Sequence, residues 1–394
     1  MYRAVKIAEN IFYAGVNDRR THLFENLMPI ERGVAYNSYV INDEKVAIVD
    51  AVEIGQVDRF LKKVEGIIGD KPVDYLVINH MEPDHAGAVN ILASLYPDMK
   101  LVGNKKTKPM VEGFFGLGDR FVEVGEGDTI ELGKNSLQFF LAPMVHWPET
   151  MVSYNPQNKV LFSGDAFGSF GTLDGAVFDD ELDIDYFKDE MRRYYSNIVG
   201  KYGSPVQKAL DKLAGLDFEI VAATHGPVLR SHIDEVIKMY QDWSTHTTQE
   251  GVVIAYASMY GNTEDMAEVV ARELVEQGVK SVRMYDVSKT DSSYIISDIF
   301  KYKGLILGSP TYTNELHPNM ESLINKIEHI GVKNHVVGVF GSFSWAGTAV
   351  KLLNGFVERM DWEIVGDPVE QKHALQKDKF EELRKLGKAM ADSL

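Results

Sequence analysis

The sequence of 394 residues contains no cysteine. Disulfide frameworks are therefore excluded, and so are metal centres held by thiolates, such as iron–sulfur clusters. No apolar run approaches the roughly 18–20 residues that a membrane-spanning helix needs. The opening stretch, MYRAVKIAEN, carries charges where a secretory signal has its apolar segment. We therefore expect a cytoplasmic protein without a membrane segment.

Basic residues are fewer than acidic ones. The sequence has 41 Lys and Arg and 58 Asp and Glu, which gives a net charge of -17. Nucleic acids and anionic membranes attract proteins that carry a basic face. We therefore expect neither as a partner. Small neutral substrates and proteins with basic patches remain compatible with this charge.

The length predicts two or three domains, and the rhythm of the sequence changes near residue 250. Before it, short apolar runs such as GVAYNSYVI, KVAIVDA and DYLVINH each predict a strand and are separated by turns, which predicts many strands and few helices. We interpret residues 1–250 as a sandwich of sheets covered by helices. The polar segment YQDWSTHTTQE, residues 240–250, predicts a linker. Over residues 251–394, five strands alternate with helices, which predicts a parallel doubly wound sheet.

Histidine and carboxylate side chains follow the predicted strands of the first half. The loop HMEPDH, residues 80–85, comes after DYLVIN, and three more candidates end the runs LQFFLAPMVH, KVLFSGD and EIVAATH. A single His or Asp after a strand is more often a turn residue, but strand ends share one rim, so these side chains can converge. Four histidines and three carboxylates suffice for two metal ions with one bridging carboxylate. The candidate ligands are His80, Glu82, Asp84, His85, His146, Asp165 and His225.

Three loops at strand ends in the second half suit a phosphorylated planar ligand. The turn SMYGNTE offers hydroxyl and backbone N–H groups to a phosphate at a helix start, although helix capping alone also explains such a turn. Ligands of doubly wound sheets bind outside the carboxyl ends of the strands. No G-x-G-x-x-G follows the first strand, which argues against a dinucleotide site. The candidate residues are Ser258, Met259, Tyr260, Gly261, Asn262, Thr263, Ser309, Pro310, Thr311, Tyr312, Thr313, Asn314, Gly341, Ser342, Phe343, Ser344, Trp345 and Gly347.

The pattern H-x-E-x-D-H of residues 80–85, with the spaced histidines and aspartate downstream, resembles the metallo-β-lactamase fold, an αββα sandwich with a binuclear metal site. Glu82 stands where hydrolases of this fold carry histidine, and this resembles the flavodiiron branch. A carboxylate is a hard, anionic ligand that favours iron, whereas zinc has no redox chemistry. The resemblance implies one iron at His80, Glu82 and His146, another at Asp84, His85 and His225, and Asp165 as the bridge.

The loops after residue 251 resemble flavodoxin, whose loops bind the phosphate and ring of FMN. SMYGNTE departs from the T-x-T-G-x-T of many flavodoxins but is similar to the flavodiiron form. A lactamase-like sandwich followed by a flavodoxin-like domain is the flavodiiron architecture, so the resemblance covers nearly the whole chain. It implies FMN and two iron ions as cofactors, with an oxo, hydroxo or water bridge possible between the irons.

The resemblance implies an oxidoreductase that reduces dioxygen to water, nitric oxide to nitrous oxide, or both. The electron donor would be a separate protein, such as rubredoxin or a reductase. It also implies a head-to-tail homodimer, or a dimer of dimers, in which one chain's flavin faces the other chain's irons. His22 resembles a histidine beside the iron pocket, with a surface position as the alternative. Tyr195 resembles a pocket tyrosine that could hydrogen-bond a bound oxygen or nitrosyl group, with helix packing as the alternative. Trp147, next to His146, is a candidate contact to the partner's flavin, with ordinary packing as the alternative.

Two rival functions remain open at this point. A zinc hydrolase of the metallo-β-lactamase fold is opposed by Glu82 and by the flavodoxin-like half. An FMN electron-transfer module with an inactive metal site is opposed by the complete set of ligands. The choice between dioxygen and nitric oxide, the electron donor, and the choice between dimer and tetramer are also open.

Overall fold

The computed structural model describes residues 4–394, which form two compact units. The first unit comprises the chain through Tyr195 together with Tyr202–Gln241, and the second comprises Ser196–Lys201 and Asp242–Leu394. The domain boundary between residues 250 and 251 stays a prediction. No helix among residues 4–394 combines the length and the apolar character that crossing a bilayer requires.

Short strands dominate the first unit, as its β-branched runs predict. The strands are β1 (Val5–Ala8), β2 (Ile11–Tyr13), β3 (Val16–Asp18), β4 (Leu23–Phe24), β5 (Met28–Pro29), β6 (Val34–Tyr36), β7 (Tyr39–Asn42), β8 (Val46–Val49), β9 (Tyr75–Val77), β10 (Lys100–Gly103), β11 (Phe121–Glu123), β12 (Thr129–Glu131), β13 (Ser136–Leu141), β14 (Met151–Asn155), β15 (Val160–Gly164) and β16 (Ile220–Ala223).

These strands build two sheets that face each other. One sheet has the order β1-β2-β7-β8-β9-β10-β11, the other the order β12-β13-β14-β15-β16, and β3 with β6 and β4 with β5 form small separate pairs. The rings of Tyr39 on β7 and Phe162 on β15 contact each other between the sheets, with centroids 5.4 Å apart. Every residue of β8 and β15 is buried. The core of this unit therefore lies between the sheets.

Amphipathic helices cover the sheets of the first unit. Helix α1 buries Phe60, Val64 and Ile68, whose spacing of four residues places them on one face that packs on β7. The helices that begin in this unit are α1 (Val57–Ile68), α2 (Pro83–Ala86), α3 (Val89–Leu95), α4 (Thr107–Phe115), α5 (Ile184–Tyr194), α6 (Gly203–Leu213) and α7 (Ile233–Ser244). A π-helical turn, Tyr195–Val199, follows α5, and 3-10 turns occupy Ile54–Gln56, Gly118–Arg120, Asp179–Glu181 and Gly200–Tyr202.

The second unit is a doubly wound sheet. Its strands are β17 (Gln249–Tyr256), β18 (Val282–Asp286), β19 (Tyr302–Tyr312), β20 (Glu315–Leu316), β21 (Val336–Phe343), β22 (Glu363–Ile364) and β23 (Val369–Lys372). Its helices are α8 (Asn262–Glu276), α9 (Ser292–Lys301), α10 (Pro318–Ile330), α11 (Ala349–Arg359) and α12 (Lys377–Asp392). The parallel order is β18-β17-β19-β21-β22, and β20 forms a hairpin with β19. The carboxyl ends of β17, β19 and β21 therefore share one edge.

Three segments differ from the sequence-based prediction. The expected linker is largely regular, because α7 runs to Ser244, with Tyr240 and Trp243 buried at helical spacing, and β17 begins at Gln249. The run GVAYNSYVI forms two strands, β6 and β7, because Asn37 turns the chain by donating to the carbonyl oxygens of Ala223 and Gly226. The fifth strand of the second unit is split: β22 pairs with the start of β21 and β23 with its end.

Candidate metal centre and flavin cleft

The structure brings all seven candidate ligands together at one rim of the first unit. The loop from His80 to His85 follows β9, and Asp165 comes directly after β15. His225 lies two residues beyond β16, whereas His146 lies in the turn between β13 and β14 rather than at a strand end. The side chains form two groups.

The first group comprises His80, Glu82, His146 and Asp165, with their ligand atoms all within 4.8 Å of one another. Glu82 Oε2 lies 3.1 Å from Nε2 of both His80 and His146. Asp165 Oδ2 lies 3.5 Å from His80 Nε2 and 3.2 Å from His146 Nε2. Two imidazole nitrogens and two carboxylate oxygens therefore face a common point.

The second group comprises Asp84, His85 and His225. Asp84 Oδ2 lies 3.3 Å from His85 Nε2 and 3.2 Å from His225 Nε2. The other oxygen of Asp165, Oδ1, lies 2.8 Å from His85 Nε2 and 3.9 Å from His225 Nε2. The Asp165 carboxylate therefore stands between the groups and presents one oxygen to each, which is the geometry of a bridging ligand.

The donors of this site fit a pair of metal ions. Among residues 4–394, both oxygens of Asp84 and the Nε2 atoms of His85 and His225 are buried without a hydrogen-bond partner, even though His85 Nε2 approaches Asp165 closely. Leaving such a group unsatisfied costs roughly 1–3 kcal/mol, which coordination to a cation would offset. Imidazole and carboxylate donors suit iron and zinc alike.

Charge interactions within the cluster oppose the effect of burial. Burial lowers the pKa of His80, but the charge of Asp165 and the hydrogen bonds of Glu149 and Glu82 raise that pKa well above its usual value. The pKa of His85 and that of His146 are raised to about 9 by the neighbouring carboxylates, again against burial. Burial raises the pKa of Asp165, yet the charges of His85 and His80 bring it well below its usual range. Metal binding would therefore displace protons from the imidazoles.

Hydrogen bonds behind the ligands fix their orientation. His80 Nδ1 lies 2.8 Å from Glu149 Oε1, which also accepts from the backbone N–H of Met81. His225 Nδ1 donates to the carbonyl oxygen of Ala35 at 2.8 Å. Thr224 Oγ1 donates to Asp165 Oδ1 at 2.6 Å. Such bonds hold the Nε2 atoms toward the centre and select the tautomer.

Aromatic rings surround His225. The ring of Tyr194 lies 5.4 Å from it, that of Phe24 5.5 Å and that of Tyr36 5.8 Å. Burial, followed by the charges of Asp165, Glu82 and Asp84, raises the pKa of Tyr194 well above its usual value.

The structure thus places Tyr194, rather than the predicted Tyr195, against a candidate ligand. Tyr195 is buried against Tyr240, with ring centroids 5.0 Å apart. Adjacent helical residues point about 100° apart, so two neighbouring tyrosines face different surroundings. A part for Tyr195 in the iron pocket stays a prediction.

Other residues predicted near the pocket occupy different surroundings. His22 is exposed immediately before β4, whereas the Trp147 ring stands perpendicular to that of His80 at 5.1 Å. Glu25, in the turn between β4 and β5, was not predicted; burial and the nearby charge of Glu82 raise its pKa to about 7. Functional parts for His22 and Trp147 stay predictions.

A cleft of about 360 Å³ opens at the carboxyl ends of β17, β19 and β21 in the second unit. This volume lies within the roughly 300–1,000 Å³ of small-molecule sites. Large aromatic surfaces stand open at its rim, since Tyr260 is 92% exposed, Trp345 86% and Tyr312 44%. The lining residues are Ser258, Met259, Tyr260, Asn262, Thr263, Pro310, Thr311, Tyr312, Thr313, Asn314, Ser342, Phe343, Ser344, Trp345, Ala346 and His373.

The turn before α8 has the backbone of a phosphate site. Gly261 has φ +95°, and a Cβ at this position would meet no atom within 4 Å. There is therefore free space beside the backbone at the start of the helix. Ser258 Oγ accepts from the N–H of Gly261 at 3.1 Å, and Thr263 Oγ1 lies 2.9 Å from Ser342 Oγ. The N-cap residue Gly261 has no side chain to cap α8, and in its first turn Ser258 Oγ accepts a long bond of 3.4 Å from the N–H of Glu264. The first N–H groups of α8 and the helix dipole therefore suit a phosphate.

The lining contains two residues that sequence reasoning missed and omits four that it named. Ala346 lies within a named loop, whereas His373 follows β23, a strand that was not predicted. The structure does not bring Gly261, Ser309, Gly341 or Gly347 to the lining. Ser309 and Gly341 lie within strands β19 and β21, where Ser309 Oγ donates to the carbonyl oxygen of Pro310, whereas Gly261 and Gly347 lie in the loops.

Two family models match the chain in the expected order. Residues 34–226 match the ODP family beta lactamase model, and residues 254–387 match the flavodoxin model. The nitric oxide reductase of Moorella thermoacetica is 31% identical over 372 residues, 93% of each chain. The solved rubredoxin oxygen:oxidoreductase of Desulfovibrio gigas is 30% identical with a TM-score of 0.94, over 99% of this chain and 98% of its own.

The chain belongs to the flavodiiron protein family. The solved flavodiiron protein from Giardia intestinalis, at 23% identity, shares the fold with a TM-score of 0.95 over 100% of this chain and 97% of its own. The predicted flavodiiron membership and the predicted fold class, a metallo-β-lactamase-like αββα sandwich followed by a flavodoxin-like sheet, are therefore confirmed. The predicted class of enzyme, an oxidoreductase, agrees with the names of these relatives.

Proposed function

We propose that this flavodiiron protein reduces dioxygen to water, nitric oxide to nitrous oxide, or both. The observation that carries the proposal is the Asp165 carboxylate, whose two oxygens face two separate groups of imidazole and carboxylate donors. When bound, an iron pair and FMN would supply the electrons. Dioxygen takes four electrons and four protons to give two waters; two nitric oxides take two electrons and two protons to give nitrous oxide and one water.

The seven ligands would divide between two irons according to the two groups of side chains. His80, Glu82 and His146 would hold one iron, Asp84, His85 and His225 the other, and Asp165 would bridge them. Glu149 and Thr224 orient this set through His80 Nδ1 and Asp165 Oδ1. The rings of Phe24, Tyr36 and Tyr194 exclude water from the side of His225.

The cleft of the second unit would hold FMN. The turn Ser258–Thr263 would receive the phosphate, and the loops at 309–314 and 341–347 would flank the ring. Tyr312 and Trp345 offer apolar faces at the rim for this purpose. The exposed rim also suits an electron donor, which we propose to be a separate rubredoxin-type protein or reductase.

The assembly and location are part of the same proposal. We propose a head-to-tail homodimer, alone or as a dimer of dimers, in which one chain's flavin serves the partner's irons. The large exposed rings at the flavin cleft support an interface there, since exposed aromatic surface is typical of binding sites. The cytoplasm is the proposed location.

Asp165→Asn tests the proposal. The wild-type protein should contain about two irons and one FMN per chain and should consume at least one gas after anaerobic reduction. The variant should lose most of its iron and at least ten-fold in gas consumption, because an amide is a weak metal ligand. Its FMN content should be unchanged. Iron by elemental analysis, FMN by absorbance and gas electrodes measure these quantities.

The matched control is Asp119→Asn, since Asp119 is exposed on the same unit. It should keep the iron and the activity of the wild type. Gas consumption that survives in Asp165→Asn would contradict the proposal. So would a wild-type protein that binds zinc, hydrolyses esters or amides and leaves both gases untouched.

A further inference from the structure

A small cavity lies behind the metal-binding loops of the first unit. Its volume is about 20 Å³. Two of its lining residues, Val145 and Ala166, are the immediate chain neighbours of the candidate ligands His146 and Asp165. The remaining lining comes from the same loops, from strands β14 and β15, from Tyr240 of α7, and from Val206, Ala209, Leu210 and Leu213 of α6.

The polar atoms of the lining are engaged with the loops themselves. Thr150 Oγ1 donates to the carbonyl oxygen of Trp147 at 3.0 Å, and Ser163 Oγ donates to that of Ala166 at 2.7 Å. The hydroxyl oxygen of Tyr240 accepts from the N–H of Phe167 at 2.7 Å. The three hydroxyls thus fasten the loops that carry His146 and Asp165, and the lining presents carbon to the cavity.

The size and lining of the cavity determine its guest. A water molecule needs roughly 10–15 Å³ and two to four polar partners, and apolar cavities without such partners stay dry and accept apolar guests such as xenon. This cavity has the room for one small molecule but not the polar partners. An uncharged diatomic gas has both the size and the low polarity that it requires.

We propose that this cavity is a docking site for one molecule of an apolar diatomic gas on its way to the metal cluster. That the gas is a substrate rests on the proposed function, whereas the binding itself does not. A gas held here lies against Val145 and Ala166, which are the chain neighbours of His146 and Asp165. Because apolar gases favour such a site over water, the cavity raises the gas concentration beside the cluster.

Xenon reports on the cavity without any turnover. Crystals of the holoprotein under xenon pressure should show one xenon atom in contact with Val145, Ala166 and Ala209. Ala209→Leu should fill the space from α6 and abolish that xenon site. Ala214→Leu is the matched control, since Ala214 is exposed just after the same helix, and it should retain the xenon. Val206→Leu, which adds one methylene to the lining, is a milder filling variant should Ala209→Leu fail to fold.

Kinetics connect the cavity to the reaction. Ala209→Leu should raise the KM for the gas several-fold, with kcat at saturating gas, iron content and FMN content unchanged, whereas Ala214→Leu should match the wild type. Absence of xenon from the wild-type cavity would overturn the proposal, and so would an unchanged KM in a variant that has lost the xenon. A wild-type protein that binds xenon but consumes neither gas would overturn the proposed function and support the binding site.

Discussion

At the scale of single residues, the candidate ligands could be predicted because their chemistry is explicit in the sequence. Histidines and carboxylates that directly follow apolar runs stand out in the order of the residues alone. Their supporting groups do not, because folding brings them from afar. His80 contacts Glu149, 69 positions away, and His225 donates to the carbonyl oxygen of Ala35, 190 positions away. A backbone carbonyl, moreover, carries no signature in a sequence.

Glu149→Gln tests the importance of the hydrogen bond to His80. The amide keeps the shape of the side chain but replaces a charge-assisted bond with a neutral one, so the orientation and basicity of His80 should suffer. We expect metal affinity to fall roughly 10–100-fold, as for other partners of ligating histidines. Iron retention during titration with a chelator measures this.

Glu131→Gln provides the control for that experiment, because Glu131 is exposed on β12 of the same unit. It should retain iron like the wild type. If Glu149→Gln also retains iron like the wild type, the bond between Glu149 and His80 does not support the metal site.

At the scale of elements, the periodic spacing of apolar residues predicted most strands and helices. It did not predict the direction in which each side chain points. Tyr194 ends α5 and Tyr195 begins a π-helical turn, so the sequence could not decide which ring faces the cluster. The division of the fifth strand could not be predicted because β22 has only two residues. The second part of this strand, β23, places His373 at the flavin cleft. Tertiary pairing with β21, rather than local propensity, determines both strands.

The connection between α7 and β17 carries an acid-sensitive group. Burial, followed by the charges of Lys333 and His335, lowers the pKa of His246 to about 4. Between that value and the unfolded value near 6.5, the unfolded chain binds more protons, so the stability of the second unit should fall as the pH falls from 6.5 to 4.

His246→Asn should remove part of this dependence. Asparagine carries no proton in this range and tolerates the backbone of His246, which has φ +54°. The loss of stability between pH 6.5 and 4 should shrink by on the order of 1 kcal/mol, a discounted figure because partial exposure screens the charge. Urea denaturation at several pH values measures it. Exposed His329 offers the control variant His329→Asn, and equal slopes for the two variants would contradict the prediction.

At the scale of the whole molecule, the order of the two folds could be predicted because the pattern of predicted elements changes near residue 250. Short strands separated by turns precede it, and strands that alternate with helices follow it. The family models match 34–226 and 254–387, one on each side of it. Each unit has its own core and its own candidate site: the metal cluster lies at the rim of the first, and the flavin cleft at the strand ends of the second. Removal of one cofactor should therefore leave the other bound, as Asp165→Asn is expected to show.

The central claim is that this chain reduces a gas with electrons stored on FMN and on a metal pair held by the seven ligands. A single turnover tests it most directly: the holoprotein, fully reduced and freed of reductant, is mixed with a limiting series of dioxygen or nitric oxide. A chain that stores four electrons should consume one dioxygen without releasing hydrogen peroxide, or convert four nitric oxides to two nitrous oxides. Hydrogen peroxide as the product of dioxygen, with no conversion of nitric oxide, would contradict the claim.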